Sequence, residues 1–140
     1  THEVIDIGTG SGVLAITAAK LGASSVVAVE NYPDVASVAR KNITDNGVNE
    51  IVTLHEEDIR ALSVQPASFV TANLTTATLA NEAKTISRSA QPGGTLVLSG
   101  MPSGDKTEVV TNFQSLAELK DRLYAADWTA LVMKRREREY

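Results

Sequence analysis

The feature that most constrains the fold is a series of short apolar runs without alternation between polar and apolar residues. A strand that is apolar on both faces has to be covered by helices on both sides, which is typical of parallel sheets. The runs predict five strands, over residues 4–7, 26–29, 51–54, 69–72 and 95–98.

Helical patterns separate these runs. Residues 11–21 have approximately helical apolar spacing, and a second helix is predicted from Pro33 to the stop at Gly47. A third is predicted over residues 79–90, and the Pro-Gly-Gly sequence at 92–94 breaks it. Because connections between parallel strands are right-handed, this order predicts a doubly wound α/β fold, a Rossmann-like sheet with helices on both faces.

The C-terminal part departs from this rhythm. A short helix is predicted over residues 106–112. Residues 113–123 fit either a helix or a strand, and we prefer a hairpin in which residues 113–122 pair with residues 128–135. Its tryptophan, Trp128, is expected to pack in the core or on the sheet face rather than to line a substrate pocket.

Composition and charge argue against several classes of protein. With 140 residues the chain predicts one domain, and its formal net charge of −4 disfavours nonspecific binding of nucleic acid. It has no cysteine, and its two histidines lack partners at metal-ligand spacing, so no metal site is expected. No long apolar run or leader pattern occurs, which favours a cytoplasmic protein without membrane contact. The chain begins within its first apolar run, so we expect further segments upstream.

A glycine-rich loop follows the first predicted strand. Gly8, Gly10 and Gly12 remove side chains from the point where ligands bind in open α/β sheets, beyond the carboxyl ends of the strands. A tight turn without a ligand is the alternative. The spacing is G-x-G-x-G, and Val13 stands where the dinucleotide fingerprint G-x-G-x-x-G has its third glycine. The spacing therefore disfavours a dinucleotide.

Three carboxylates accompany this loop. Asp6 lies within the first strand, Glu30 ends the second, and Asp58 follows the third. Glu30 is placed to accept hydrogen bonds from both hydroxyls of a ribose. Asp58 is placed to hold an adenine amino group, to cap a helix over residues 59–62, or to do both. Acids around the loop repel a pyrophosphate but tolerate a cation, which fits the ammonium and sulfonium groups of S-adenosylmethionine.

Four segments resemble a known family. They are VIDIGTGSGVLAITAAKLGASSVVAVE at residues 4–30, ANL at 72–74, QPGGTLVLSG at 91–100 and DWTALVMKR at 127–135. The first is similar to the opening motifs of class I S-adenosylmethionine-dependent methyltransferases. More narrowly, the set resembles the bacterial methyltransferases of ribosomal protein L11, the PrmA family, over nearly the whole chain.

The resemblance implies a seven-stranded sheet of order 3-2-1-4-5-7-6 whose last strand is antiparallel. It implies that residues 8–12 hold the methionine part of the cofactor, Glu30 the ribose, and Asp58 with Ile59 the adenine. Asn73 is implied to lie beside the methyl group, where it is the candidate catalytic residue; a structural role in its loop is the alternative. The predicted cofactor site comprises Asp6, Gly8, Thr9, Gly10, Ser11, Gly12, Glu30, Asn31, Asp58, Ile59 and Asn73.

The expected function is methyl transfer from S-adenosylmethionine to a protein nitrogen, on a lysine or the terminal amine of a ribosomal protein, by a domain spanning residues 1–140. Departures from the family pattern at Ser68 and over residues 74–78 leave the methyl acceptor open. One alternative is a non-catalytic cofactor- or partner-binding domain. Another is a nicotinamide-dependent oxidoreductase, which the glycine spacing disfavours. By itself the chain is expected to bind the cofactor weakly and to methylate poorly.

Overall fold

A seven-stranded sheet forms the centre of the computed structural model, which describes residues 2–139. Its strand order is β3-β2-β1-β4-β5-β7-β6, and β7 is antiparallel to both β5 and β6. The strands are β1 Glu3–Ile7, β2 Ser25–Val29, β3 Val52–His55, β4 Ala67–Asn73, β5 Ala90–Pro102, β6 Ala117–Ala125 and β7 Trp128–Arg135. The predicted strand order and fold class are confirmed.

Helices cover both faces of this sheet. The α-helices are α1 Val13–Lys20, α2 Pro33–Asp45, α3 Thr76–Asn81, α4 Ala83–Ser89 and α5 Lys106–Phe113, and single 3-10 turns span Ile59–Ala61 and Ser103–Asp105. None of the helices described between residues 2 and 139 is long and apolar enough to cross a membrane.

The strand β1 shows why its sequence does not alternate. Ile5 and Ile7 pack into a core formed with α3, α4 and α5, whereas Val4 packs into a second core with α1 and α2. Burial of each such side chain stabilises the fold by roughly 1.5–3 kcal/mol. Since both faces of β1 are buried, apolar residues are favoured at successive positions.

The helix predicted over residues 79–90 is divided in two. Glu82, with φ −106° and ψ 22°, leaves helical geometry between α3 and α4. Leu79, Ala83 and Ile86 are nevertheless all buried in one core. The apolar spacing continues through the break, so the sequence pattern did not reveal it.

The strand β5 begins earlier than predicted, at Ala90. Ala90 pairs with Ala67, and the next pair joins Thr95 to Phe69, so residues 91–94 bulge within the strand instead of separating it from a helix. Gly94 makes this bulge possible, because a Cβ atom there would lie 2.9 Å from the carbonyl oxygen of Gln91. The bulge shifts the register between β4 and β5, in which Asn73 pairs with Ser99.

The C-terminal hairpin is confirmed, but it begins at Ala117 rather than at residue 113. Phe113 instead ends α5, where it is fully buried. Ala125 pairs with Trp128 across a tight turn in which Ala126 has a φ of 53°. The expectation that Trp128 packs in the core is wrong, because 55% of its surface is exposed at the end of the hairpin.

Candidate functional site

A cavity of about 350 Å³ lies at the carboxyl ends of the parallel strands. It lies beside β1, which has β2 on one side and β4 on the other, so the chain connections diverge there as in other open α/β sheets that bind ligands. We call it the acidic pocket; its lining residues are Ile7, Gly8, Val29, Glu30, Asn31, Tyr32, Glu57, Asp58, Ile59, Arg60, Leu74, Thr78, Asn81 and Glu82.

The glycine loop, residues 8–12, reaches this pocket at Gly8 and has a conformation that requires glycine. Gly8, Gly10 and Gly12 have φ values of 70°, 59° and 90°, in the left-handed region that other residues rarely adopt. A Cβ atom at Gly8 would lie 2.5 Å from the Leu74 side chain, whereas Gly10 has open space around it. The loop therefore presents bare backbone beside the pocket.

Glu30 is held in place by backbone N–H groups. Its Oε1 accepts a hydrogen bond from the Gly10 N–H at 3.0 Å, and its Oε2 accepts from the N–H groups of Asn31 and Tyr32 at 3.1 and 3.3 Å. Only 8% of the residue is exposed. Because Oε1 accepts one bond, it retains a lone pair for a ligand hydroxyl in the acidic pocket.

Asp58 also lines the acidic pocket, but both oxygens of its carboxylate accept hydrogen bonds from Arg60. Oδ1 accepts from the Arg60 N–H at 2.9 Å and from Nε at 3.1 Å, and Oδ2 accepts from Nη2 at 2.6 Å. These bonds lower the pKa of Asp58 to about 2. The capping role predicted for Asp58 is confirmed, since it precedes the 3-10 turn Ile59–Ala61. Arg60 is not among the predicted site residues, because a basic residue two positions after the acid forms this contact only in a particular side-chain rotamer.

Asp6 lies behind the glycine loop rather than in the acidic pocket. It is 1% exposed, its Oδ2 accepts from the Thr9 hydroxyl at 2.7 Å, and its Oδ1 accepts from the Thr71 hydroxyl at 2.6 Å. Burial raises the pKa of Asp6, against the opposing effect of these hydroxyl donors. Thr9 is buried with it. These two residues therefore stabilise the loop conformation by a buried hydrogen bond and do not line the acidic pocket.

The remaining loop positions connect the loop to the helices. The Ser11 carbonyl accepts from Nδ2 of Asn42 at 2.8 Å, and Gly12 precedes α1 and lies against Ala39. Of the predicted cofactor residues, five line the acidic pocket: Gly8, Glu30, Asn31, Asp58 and Ile59.

Asn73 lines a different cavity of about 530 Å³. We call it the hairpin pocket; its lining residues are Asn73, Ser99, Gly100, Leu123, Tyr124, Ala125, Trp128, Thr129 and Ala130. Leu123, Tyr124 and Trp128 are 54%, 56% and 55% exposed. Leu123 and Tyr124 are not among the predicted site residues, because apolar and aromatic residues in a hairpin strand more often pack in the core.

Adjacent residues at the end of β4 separate the two cavities. Asn73 lines the hairpin pocket and Leu74 lines the acidic pocket. Gly100, with φ 93°, packs against both: a Cβ atom there would lie 2.6 Å from Oδ1 of Asn73 and 2.5 Å from the carbonyl oxygen of Leu74. The end of β5 thus fixes the boundary at Asn73–Leu74.

Replacing Gly100 with alanine should destabilise the fold and displace the Asn73 amide, because the new methyl group meets backbone atoms that cannot move away. Gly47→Ala is the matched control: Gly47 also has a positive φ, of 68°, but nothing within 4 Å of the added atom. In urea denaturation we expect Gly100→Ala to cost roughly 1–3 kcal/mol more than Gly47→Ala, the range for overpacking. Equal losses would contradict the close contact.

Replacing Arg60 with glutamine should raise the pKa of Asp58 from about 2 toward its ordinary value of 3.8. The rise is partial, because the backbone N–H of residue 60 still donates to the carboxylate. Carboxyl-carbon NMR titration measures it. Arg122→Gln, on the exposed part of β6, should leave the Asp58 titration unchanged, and an unshifted pKa in Arg60→Gln would show that the guanidinium does not hold the carboxylate.

Comparison with known proteins agrees with this geometry. The family model for ribosomal protein L11 methyltransferase (PrmA) matches residues 1–136. The ribosomal protein L11 methyltransferase of Geobacter metallireducens is 37% identical over 134 residues, which cover 93% of this chain and 43% of that protein. The chain thus spans less than half the length of that curated relative.

Solved structures show the same fold. The ribosomal protein L11 methylase of Lactobacillus delbrueckii subsp. bulgaricus superposes with a TM-score of 0.90 at 25% identity, over 96% of this chain and 70% of that one. An RNA methyltransferase of Salinibacter ruber, solved with S-adenosyl-L-homocysteine, gives a TM-score of 0.80 at 22% identity, over 98% and 82% of the two chains. By its family match and its relatives, this chain belongs to the ribosomal protein L11 methyltransferase family, PrmA.

Proposed function

We propose that residues 1–140 form the S-adenosylmethionine-binding domain of a protein methyltransferase that methylates an amino nitrogen of a ribosomal protein. The observation that carries this proposal is the pair of pockets that meet at Asn73–Leu74. One is acidic and bordered by bare backbone, and the other is apolar and aromatic. A cofactor on one side and an acceptor on the other would meet at this boundary.

The acidic pocket fits a cationic nucleoside. Four carboxylates line it, those of Glu30, Glu57, Asp58 and Glu82, against the single cation of Arg60 among the described lining residues. This excess of negative charge favours a ligand with ammonium and sulfonium groups. It disfavours the pyrophosphate of a nicotinamide cofactor.

Each part of the cofactor has a proposed partner. The glycine loop, residues 8–12, holds the methionine part, and Glu30, followed by Asn31, holds the ribose through the free lone pair of its Oε1. Asp58 and Ile59 hold the adenine, with the Asp58 carboxylate shared with Arg60. The cofactor, when bound, supplies a methyl group activated by its sulfonium.

The hairpin pocket fits an amine on an aliphatic stem. The amide oxygen of Asn73 accepts a hydrogen bond from the incoming neutral amine and orients it, while Tyr124 and Trp128 exclude water from its stem. None of the described residues that line the pocket carries a charge at neutral pH. The amine therefore loses its proton to solvent rather than to a dedicated base.

The names of the relatives support a ribosomal protein as the substrate. The Geobacter metallireducens protein is named for ribosomal protein L11. With a protein substrate of this kind, the proposed reaction takes place in the cytoplasm. It requires no contact with a membrane and no direct binding of nucleic acid.

Calorimetry with S-adenosylhomocysteine tests the cofactor assignment. We expect Glu30→Gln to weaken binding by about ten- to a hundredfold, because a buried charged acceptor becomes an amide. Glu108→Gln, on the exposed side of α5, should bind as the unmodified chain does. No heat at millimolar ligand, or equal heat from a nicotinamide dinucleotide, would contradict the proposal.

Single-turnover methylation of a ribosomal protein tests the acceptor assignment. Asn73→Ala should lower the rate of methyl transfer by about tenfold or more while S-adenosylhomocysteine affinity stays within about twofold, since one hydrogen bond to the acceptor is lost. Trp128→Ala should instead weaken the binding of the protein substrate. Cofactor binding without any methylation by the unmodified chain would favour the non-catalytic alternative.

A further inference from the structure

We propose that Thr71, in the middle of β4, is a positioning residue of the cofactor site. Its hydroxyl holds the buried carboxylate of Asp6, and this carboxylate fixes the glycine loop through Thr9. The inference rests on the proposed function, because it is the assignment of the loop to the cofactor that gives the contact a role in binding.

The arrangement follows from strand pairing. Asp6 and Thr71 are partners in the parallel pair of β1 and β4, so their side chains lie on the same face of the sheet. The Thr71 hydroxyl donates to Oδ1 at 2.6 Å, and the Thr9 hydroxyl donates to Oδ2 at 2.7 Å. One oxygen is therefore held by a rigid strand and the other by the loop.

A glycine-rich loop needs such an anchor. Glycine loses more conformational freedom on ordering than any other residue, so an unanchored loop would have to be ordered by the ligand at a cost in affinity. The loop is held at Gly8 and Thr9, whose N–H groups donate to the Val29 carbonyl, and at Gly10, whose N–H donates to Glu30. The Asp6 carboxylate is the anchor on the opposite side, toward β4.

The Thr71 hydroxyl does not serve the strand itself. Its described hydrogen bond is the one to Asp6, and its neighbours Val70 and Ala72 are buried apolar residues. A valine would fill nearly the same volume in β4 without the donor. The hydroxyl matters because a buried carboxylate is costly unless donors surround it.

The charge state of Asp6 depends on these donors. Burial raises its pKa, and so does the negative charge of Glu30, the described titratable group that acts on it. The hydroxyls of Thr71 and Thr9 and the backbone N–H of Ala15 lower it. Loss of the Thr71 hydroxyl therefore raises the pKa of Asp6, so that the carboxylate takes up a proton at a higher pH and its acceptor geometry toward Thr9 changes.

The strand β4 also contains Asn73, at the boundary between the two pockets. Thr71 and Asn73 are two residues apart in β4, so they lie on the same face. A contact that fixes the loop to Thr71 thus fixes it relative to Asn73, where the two pockets meet. The position of the glycine loop is therefore fixed relative to the hairpin pocket, where the methyl acceptor is proposed to bind.

The test compares Thr71→Val with Thr71→Ser in the full chain, and Thr53→Val on the exposed side of β3 is the control. S-adenosylhomocysteine affinity is measured by calorimetry from pH 5.5 to 8.5, a range of about three units around neutrality. We expect Thr71→Val to weaken binding by about tenfold at neutral pH, the loss of one hydrogen bond to a charged group. The fall in affinity on acidification should also begin at a higher pH. Thr71→Ser should restore both, and Thr53→Val should change neither.

Amide hydrogen exchange of residues 8–12 gives a readout that needs no ligand. We expect these amides to exchange faster in Thr71→Val than in Thr71→Ser or the unmodified chain. Unchanged loop exchange together with an unchanged affinity and pH profile would overturn the inference. If the unmodified chain binds no S-adenosylhomocysteine, the proposed function fails, whereas the exchange rates still show whether Thr71 anchors the loop.

A further variant covers the case in which Thr71→Val does not fold. Thr71→Cys keeps the volume and supplies only a weak S–H donor. Compared with Thr71→Ser, it should bind S-adenosylhomocysteine more weakly and lose affinity at a higher pH on acidification. Its loop amides should also exchange faster than those of Thr71→Ser. Values equal to those of the unmodified chain would overturn the proposal.

Discussion

Two buried carboxylates, on neighbouring strands, hold one short loop between them. Glu30 accepts from the backbone of Gly10, and Asp6 accepts from the hydroxyl of Thr9. Both acids are almost fully buried, so their charge would be costly without these donors. A loop with three glycines in left-handed conformations would otherwise be the most mobile part of the sheet edge. The acidic pocket, the boundary at Asn73 and the proposed binding of a cationic nucleoside all depend on this loop being fixed.

Much of the fold could be predicted because burial on both faces leaves a direct trace in sequence. The runs at residues 4–7 and 26–29 have apolar residues on both faces of their strands, and these strands lie between two cores. The break at Glu82 left no trace, because the helices on either side share one apolar face. Pro-Gly-Gly at residues 92–94 predicts a helix stop, but it is equally compatible with the bulge that residues 91–94 form within β5.

The candidate site was predicted less completely than the fold. Glu30 and Asp58 could be placed at the acidic pocket because the ends of adjacent parallel strands meet there. The partners of these acids were not predictable in the same way, since they depend on side-chain rotamers and on register. Arg60 on Asp58 and Thr71 on Asp6 are examples. The chemistry of Trp128 alone predicts packing in the core or on the sheet face, whereas 55% of its surface is exposed at the end of the hairpin.

The exposed end of the β6–β7 hairpin also bears on how such a domain diversifies. Leu123 in β6 and Trp128 in β7 line the hairpin pocket, and neither is among the described residues that line the acidic pocket. Substitutions near the tight turn at Ala126 can therefore change the shape of the hairpin pocket while leaving the lining of the acidic pocket unchanged.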